Sequence, residues 1–203
     1  MVDVAKKCGV RLIIYTSFVN CQNNTNAVST DHKFTEILLE KSGLNYCIAR
    51  NAIYFEILEE LVKYLMKKEN NTFYNSIEEK RASLALIREL GEAGACILLK
   101  KDPKKIYELS RPVSYLEIIK AIEKVAGKEI KIVDFPLDDI DQKYNELGFT
   151  KLFGLTAKFI GMDFYKGIFD VKPTDFEEIL GHPLIPLEDV IKELNEAPRY
   201  FEY

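Results

Sequence analysis

Arg11-Leu-Ile-Ile-Tyr-Thr-Ser17 is the stretch of this 203-residue chain that decides the predicted fold. Its apolar run predicts a buried strand of a parallel sheet, and the strand ends in two small hydroxyl residues, Thr16 and Ser17. Doubly wound α/β folds bind their ligands at the carboxyl ends of such strands. Only residues 1–10 precede it, too few for the Gly-rich turn and the βα units that normally open a dinucleotide-binding fold. We therefore expect the chain to correspond to the later part of such a fold.

Composition excludes several classes of function. The net charge is −4 and the basic residues are scattered, so no nucleic-acid partner is expected. No apolar run approaches the roughly 20 residues that span a bilayer, so no membrane partner is expected either. Two histidines and four cysteines without CxxC spacing argue against a metal site. Scattered cysteines predict reduced thiols and a cytoplasmic protein.

The order of predicted elements indicates an α/β fold. Strands predicted at 11–15, 45–50 and 105–109 alternate with helices, which favours a parallel sheet over residues 1–110. Residues 111–203 are mostly helical with one predicted strand at 129–134, and they form a second, smaller lobe. The predicted fold class is thus a partial doubly wound, Rossmann-like parallel sheet with a smaller, mostly helical C-terminal lobe.

Local signals predict where several helices begin and end. A polar loop at 17–30 is a candidate binding loop, and Ser29 or Thr30 is expected to cap a helix with an apolar face at Phe34, Ile37, Leu38 and Leu39. Residues 84–99 are predicted to be one helix. Ser114 is expected to start a helix that Gly127 ends, and Thr174-Asp-Phe-Glu177 is a predicted capping box.

Candidate ligand-binding residues lie where two predicted strands end. Thr16 and Ser17 end the first, and the segment Asn51-Ala-Ile-Tyr-Phe-Glu56 follows the second, so both open onto one edge of a parallel sheet. Asn51 can exchange hydrogen bonds with a carboxamide, and Tyr54 and Phe55 offer flat faces to a planar ring. In the alternative interpretation, Asn51 caps the following helix and the two aromatic residues belong to the core.

His32 and Glu36 stand four residues apart on one predicted helix face. They form either a polar pair that faces a cofactor or a solvent-side pair, and the spacing alone favours the solvent-side pair.

These residues together resemble a known family, the NmrA-like group of atypical short-chain dehydrogenases, which includes the type 2 NAD(P)H:quinone oxidoreductases. The resemblance rests on an ordered set of motifs spread over nearly the whole chain: Tyr15-Thr-Ser17, His32-Lys-x-Thr-Glu36, Gly43-Leu44, Arg50-Asn51-x-x-Tyr54-Phe55-Glu56, Tyr107-Glu-Leu109, Val113-Ser-Tyr115, Pro136-Leu-Asp138 and Gly181-His-Pro183.

The resemblance implies that Asn51, Ala52, Ile53, Tyr54, Phe55 and Glu56 lie over the nicotinamide end of NAD(P)H and that Thr16 and Ser17 border the same pocket. It implies a small-molecule substrate, with a quinone as the expected class, under the second lobe. His32 and Glu36 occupy the place of the usual catalytic Tyr-x-x-x-Lys, so no catalytic residue is assigned. The match at Tyr64 and Lys68 lies one βα unit too late and is interpreted as coincidence.

One departure from the family changes the expected activity. The family's Gly-x-x-Gly-x-x-Gly turn, which holds the pyrophosphate, has no counterpart in these 203 residues. We therefore expect a truncated quinone-reductase-like chain with weak or absent NAD(P)H binding, active only if the missing part is supplied. Self-association through the exposed sheet edge at 11–15 is expected. The alternatives are a non-enzymatic NAD(P)-responsive regulatory protein and a partner subunit without cofactor.

Overall fold

The structure is a computed structural model that describes residues 2–23, 27–172 and 174–196. Its strands are β1 (Ile13–Phe18), β2 (Tyr46–Asn51), β3 (Ile53–Tyr54), β4 (Thr72–Asn75), β5 (Arg81–Ala85), β6 (Ile106–Leu109), β7 (Arg111–Ser114) and β8 (Lys131–Asp134). Its α-helices are α1 (Val2–Lys7), α2 (Ala27–Lys41), α3 (Glu59–Met66), α4 (Ile87–Leu99), α5 (Tyr115–Ala126), α6 (Ile140–Glu146), α7 (Lys151–Tyr165), α8 (Phe176–Leu180) and α9 (Leu187–Glu196). Short 3₁₀ turns occupy Phe55–Leu58 and Leu137–Asp139. Within these ranges, no helix has the length and apolar character needed to cross a membrane.

The chain folds into two compact units and passes between them five times. The first unit comprises residues 1–53, 83–111 and 171–184, and the second comprises 54–82, 112–170 and 185–203. One passage, at 111/112, lies next to the predicted boundary at residue 110. The segment 54–82, however, packs with the later residues, so the compact units are not contiguous in sequence. A division of function at residue 110 stays a prediction.

The first unit is built on the parallel sheet β1-β2-β6. These are the three strands expected from the sequence, and β1 runs on to Phe18, three residues beyond its predicted end. A buried apolar cluster covers one face of the sheet and includes Cys47, Ala49 and Leu109 from the strands with Leu90 from α4 and Phe176 from α8. Because β2 lies between β1 and β6, it is buried along most of its length. The α/β, partial doubly wound fold class is confirmed.

Helix α2 exposes three of the four residues of its predicted apolar stripe, and only Leu39 is buried as expected. Phe34 and Leu38 are exposed, whereas Ser29 and Glu36 are buried. The helix also begins at Ala27, before the expected caps Ser29 and Thr30. The physical reason is the sheet face beneath the helix, which carries polar side chains that require polar partners from α2.

Three strands were missed, one of them the two-residue β3 at Ile53–Tyr54, and one predicted cap is wrong. Residues 81–85 form β5, so the helix predicted at 84–99 begins only at Ile87, and residues 111–114 form β7. Short runs that are buried on both faces lack the alternation that identifies a strand. The predicted capping box at Thr174 is wrong, because the N-cap of α8 is Asp175 and makes no side-chain cap bond.

In the second unit, the strands β4 and β8 pair in parallel and α5 packs against α9. Ser114 and Glu117 form both bonds of a capping box at the start of α5, and Gly127 ends that helix at φ +65°, so both predicted boundaries are confirmed. Two glycines of α7 allow close approaches. A Cβ on Gly154 would lie 2.9 Å from the Asp141 carbonyl oxygen, and one on Gly161 would lie 2.8 Å from Cδ1 of Leu137.

Candidate functional site

Strands β1 and β2 end side by side at the carboxyl edge of the first unit's sheet. In their parallel register Ser17 lies opposite Arg50, and Phe18 lies opposite Asn51. Side chains alternate between the two faces along a strand, and opposite residues of a parallel pair point the same way. Ser17 and Arg50 therefore share the face covered by α2, whereas Asn51 points to the other face.

The expectation that Ser17 and Asn51 line one cleft is therefore wrong. Both residues do lie at the predicted carboxyl edge, but they are one residue apart in the register and so point to opposite faces. A shift of one residue moves a side chain to the other side of a sheet, and sequence alone does not specify that register.

Arg50 is the centre of a buried ionic cluster on the α2 face. Its guanidinium donates from Nε to Glu36 Oε1 at 2.9 Å and from Nη2 to Glu36 Oε2 at 2.6 Å, a bidentate pair. Nη1 donates to Oε1 of Glu108, a residue of the neighbouring strand β6, at 2.9 Å. Arg50 is 6% exposed and Glu36 is 2% exposed. Bidentate, charge-assisted pairs of this kind are strong and directional, so the cluster ties α2, β2 and β6 together.

Ser17 and Cys21 complete the cluster by donating to the same carboxylate. The Ser17 hydroxyl donates to Glu36 Oε1 at 2.6 Å, and the Cys21 thiol donates to that oxygen at 3.2 Å. The prediction from sequence spacing, that His32 and Glu36 form a pair on the solvent side, is therefore wrong for Glu36. Ser17 is buried and its hydroxyl hydrogen is committed to this carboxylate.

The titration behaviour of the cluster follows from burial and hydrogen bonding. Burial alone would raise the pKa of Glu36, but the hydrogen bonds from Arg50, Ser17 and Cys21 outweigh it and lower that pKa. For Glu108, burial, with the nearby Glu36 charge, prevails over the Arg50 contact and a backbone hydrogen bond from Asn20, and the pKa is raised. Burial, with the bond to Glu36, raises the pKa of Cys21 to about 11. Glu36 is thus ionised at neutral pH, and the Cys21 thiol is protonated.

His32 pairs with a tyrosine of β1. The Tyr15 hydroxyl lies 2.8 Å from His32 Nδ1, and the Phe18 ring stacks on the imidazole with centroids 6.1 Å apart. Burial lowers the pKa of His32, so the ring is neutral at pH 7 and can accept the tyrosine proton at Nδ1. The two residues form a pair that can hold or exchange a proton.

Asn51 presents an unsatisfied acceptor in the interior. It is 8% exposed, and its Oδ1 has no hydrogen-bond partner among the described residues. The backbone around it is satisfied, because Asn51 O accepts from Val19 N and Ala52 N donates to Leu109 O. Beyond the end of β6, the Ser110 hydroxyl is likewise buried without a partner in the described part of the chain. An unpaired buried acceptor costs about 1–3 kcal/mol, which a donor on a ligand would recover.

Asn51 does not cap a helix, as the alternative interpretation proposed. It is the last residue of β2, and the following 3₁₀ turn has Tyr54 as its N-cap. The same interpretation is right for Phe55, which is fully buried. The other predicted site residues divide by exposure: Ala52, Ile53 and Glu56 are buried, whereas Thr16 and Tyr54 are exposed.

Sequence reasoning missed Arg50 and Glu108 as functional neighbours of Ser17. A signal was present, because each charged residue stands near the end of an apolar strand and would have to be buried there. A buried charge requires an opposite charge nearby. That requirement could have identified Glu36 as the counter-ion, since it is the buried carboxylate on the helix that covers this face.

Comparisons with known proteins agree with this architecture. No protein-family model matches the chain. Quinone oxidoreductase 2 of Escherichia coli (strain K12) is 23% identical over 200 residues, which are 96% of this chain and 68% of that protein.

Solved structures match the fold over nearly the whole chain. Triphenylmethane reductase of Citrobacter sp., complexed with NADP(H), matches with a TM-score of 0.83 at 21% identity, over 95% of this chain and 68% of its own. The NADPH-dependent quinone oxidoreductase QOR2 of E. coli, complexed with NADPH, matches with a TM-score of 0.79 at 19% identity, over 95% and 69%. A nucleoside-diphosphate-sugar epimerase from Staphylococcus aureus matches with a TM-score of 0.77 at 22% identity, over 95% and 68%. The chain is therefore similar in sequence to quinone oxidoreductase 2 and shares the fold of these reductases and of the epimerase.

Proposed function

We propose that this protein is an NAD(P)H-binding oxidoreductase of the quinone-reductase type. The observation that carries the proposal is the buried, unpartnered Oδ1 of Asn51 at the carboxyl end of β2. Ligands bind at this edge in α/β folds, and the carboxamide of a nicotinamide has the N–H donor that this oxygen lacks. Bound NAD(P)H would supply a hydride to the substrate.

We propose Asn51 as the residue that binds the cofactor directly, and Thr16, Ala52, Ile53, Tyr54 and Glu56 stay predictions from the resemblance. Asn51 would accept the carboxamide hydrogen bond. Ser17 would act as a positioning residue, because its hydroxyl bonds Glu36 and so holds the end of β1 to the Arg50 cluster. A quinone suits this set of residues as the small-molecule substrate, since its reduced ring can take a proton from water without a Tyr–Lys relay.

We further propose that these 203 residues bind NAD(P)H weakly. Dinucleotide affinity depends strongly on a pyrophosphate held at a Gly-rich helix start, and this sequence contains no such turn. We therefore expect a dissociation constant for NAD(P)H on the order of 1 mM, equivalent to a binding free energy of about −4 kcal/mol.

A comparison of two ligands tests this proposal. NADPH and reduced nicotinamide mononucleotide are titrated separately, and binding is followed by NMR chemical shifts. If the chain holds only the nicotinamide end, the two affinities agree within about threefold. Asn51→Ala should then weaken both by about two- to tenfold, the value of one hydrogen bond. Asn45→Ala, at the exposed amino end of the same strand, is the control and should change neither. Micromolar NADPH affinity, or an unchanged affinity in Asn51→Ala, would reject the proposal.

A second candidate is an NAD(P)-responsive regulatory protein without turnover. It is favoured by the state of Glu36, whose carboxylate accepts bonds from Arg50, Ser17 and Cys21 and so is not a free proton acceptor. Oxidation of reduced nicotinamide mononucleotide with a simple quinone distinguishes the two candidates. Binding without quinone-dependent oxidation would favour the regulatory protein.

We also propose that the chain self-associates through the edge of β1. Among the described residues this strand pairs only with β2. The backbone N–H groups of Ile13 and Val19 donate to carbonyl oxygens at the two ends of β2, so the main-chain groups of the odd-numbered residues face that strand. The main-chain groups of Ile14 and Thr16 therefore point away from it. Unpaired strand edges promote association with other chains.

We propose a cytoplasmic location for the protein. Its four cysteines are free, which fits a reducing compartment.

The apolar stripe of α2 would add to this interface, because Phe34, Ile37 and Leu38 are exposed in the same unit. Phe34→Asp should lower the association measured by light scattering. Val28→Asp, at a residue of similar exposure outside this stripe of α2, is the matched control. A stable monomer at tens of micromolar would contradict this proposal.

A further inference from the structure

An open groove in the second unit lies at the carboxyl ends of two paired parallel strands. Asn75 ends β4 and Asp134 ends β8, and the two residues are directly opposite each other in the register. The groove has a volume of about 550 Å³, within the range of small-molecule sites. Its walls include Ser76, Glu78, Phe135, Leu137 and Tyr165. All of these residues belong to the second unit.

The groove offers flat, apolar surfaces. Phe135 is held edge-on against Tyr74, with ring centroids 5.5 Å apart, and the Tyr165 ring is 49% exposed. Leu137 forms part of the wall because Gly161 has no Cβ to push it away. Rings and aliphatic groups placed in this way favour a planar, apolar ligand body.

The charge of the groove is negative. Glu78 and Asp134 are exposed carboxylates, and neither forms an ion pair among the described residues. The turn that carries Glu78 is held by a hydrogen bond from Asn75 Nδ2 to Glu78 O at 3.2 Å. Among the residues that the structure describes, no lysine or arginine lines the groove. Two carboxylates without basic partners disfavour an anionic ligand and favour a cationic one.

Two lysines already lie near the aromatic walls, and a ligand cation would have to displace them from the ring faces. Lys80 Nζ lies 5.6 Å from the Tyr165 ring centroid, and Lys143 Nζ lies 6.0 Å from that of Phe135. Aromatic faces attract cations through the ring quadrupole. Lys143 also pairs with Glu146 at 3.6 Å, and it is not a wall residue of the groove.

We propose that this groove binds a planar aromatic cation. The rings would contact the ligand's apolar faces, and Glu78 and Asp134 would pair with its positive charge. Exposed ion pairs contribute modestly, so each carboxylate should improve affinity by about two- to fivefold over a neutral ligand of the same shape. The two together should give about tenfold. Binding at this groove does not depend on a dinucleotide in the first unit.

Two acridines of nearly equal shape test the proposal. At pH 7.5, 9-aminoacridine is a cation and acridine is neutral, and both are followed by fluorescence. The full chain should bind 9-aminoacridine about tenfold more tightly than acridine, with the difference decreasing as salt is added. Glu78→Gln and Asp134→Asn should each reduce 9-aminoacridine affinity by two- to fivefold and leave acridine binding unchanged. Tyr165→Leu should weaken both ligands.

Glu79→Gln is the matched control, because Glu79 is exposed beside Glu78 but does not line the groove. Circular dichroism establishes that each variant is folded. Equal binding of the two acridines, absence of binding, or equal losses in Glu79→Gln and Glu78→Gln would overturn the proposal. Concentration-dependent dimerisation that Glu78→Gln and Asp134→Asn abolish would also overturn it, because the groove would then hold a basic segment of a second copy.

Discussion

Replacing Glu36 with glutamine should destabilise the protein strongly. The wild-type carboxylate accepts two bonds from the Arg50 guanidinium and one each from Ser17 and Cys21. A glutamine keeps the shape but removes the charge, and its amide group brings hydrogens towards a partner that has only donors. Arg50 is then left as a buried cation that retains only Glu108.

The magnitude follows from burial. Both partners are buried, and breaking one side of a buried ion pair typically costs 3–5 kcal/mol because the remaining charge is uncompensated. Arg50 still has Glu108, so we expect a loss near the lower limit, about 3 kcal/mol. Glu36→Met combined with Arg50→Met should recover most of this loss, since well-packed apolar replacements of a buried pair are often neutral or stabilising.

The assay is urea unfolding followed by far-UV circular dichroism, because the chain has no tryptophan. Glu108→Gln is the matched control, since it changes the other carboxylate of the same arginine. The pKa of Glu108 is raised, so folding already disfavours its charged form and the neutral amide should change stability by less than about 1 kcal/mol. A loss below about 1 kcal/mol for Glu36→Gln, or equal losses in both variants, would refute this reasoning.

The effect of Glu36→Gln should also depend on pH. The folded-state pKa of Glu36 is lowered below its ordinary value of 4.5. Its ionised form therefore contributes its full stability above that pH, and the contribution is lost as the pH falls through the folded-state pKa. The difference in the free energy of unfolding between wild type and Glu36→Gln should be largest at neutral pH and should decrease on acidification.

Two further predictions concern packing and thiol reactivity. Gly154→Ala should lower the free energy of unfolding by about 1–3 kcal/mol, because the added Cβ meets backbone atoms. Gly161→Ala should change it by less than about 1 kcal/mol, because only the end of a leucine side chain must move. Thermal unfolding of both variants measures the difference. Equal losses would contradict this. Cys8 is exposed and should react with a thiol reagent in the native protein. Cys21 is buried and has a pKa of about 11, so it should react only in urea. Mass spectrometry of the labelled protein identifies the modified cysteines. Rapid native labelling of Cys21 would be inconsistent with the cluster.

Local signals in the sequence predicted much of the fold. The strands β1, β2 and β6 were expected from their apolar runs, and the start and end of α5 followed from Ser114 and Gly127. These features depend on neighbouring residues, so a single sequence contains the information. The position of the candidate site at the carboxyl edge was predictable for the same reason, since strand direction follows from the βαβ order.

Features that depend on pairing between distant segments were not predictable. The outward apolar stripe of α2 results from the polar cluster that its other face covers, and that cluster joins residues from 17 to 108 in sequence. The separation of Ser17 from Asn51 depends on strand register. Neither is specified by local periodicity, so Phe34 was expected inside and Glu36 outside.

The central claim, that Asn51 receives the nicotinamide end of the cofactor, is tested most directly by NMR mapping with reduced nicotinamide mononucleotide. The side-chain amide of Asn51 and the backbone amide of Ala52 should show the largest concentration-dependent shifts, and Asn51→Ala should remove the shift at Ala52. Unchanged Asn51 and Ala52 signals at ligand concentrations of several millimolar, with shifts clustered elsewhere in the chain, would contradict the claim.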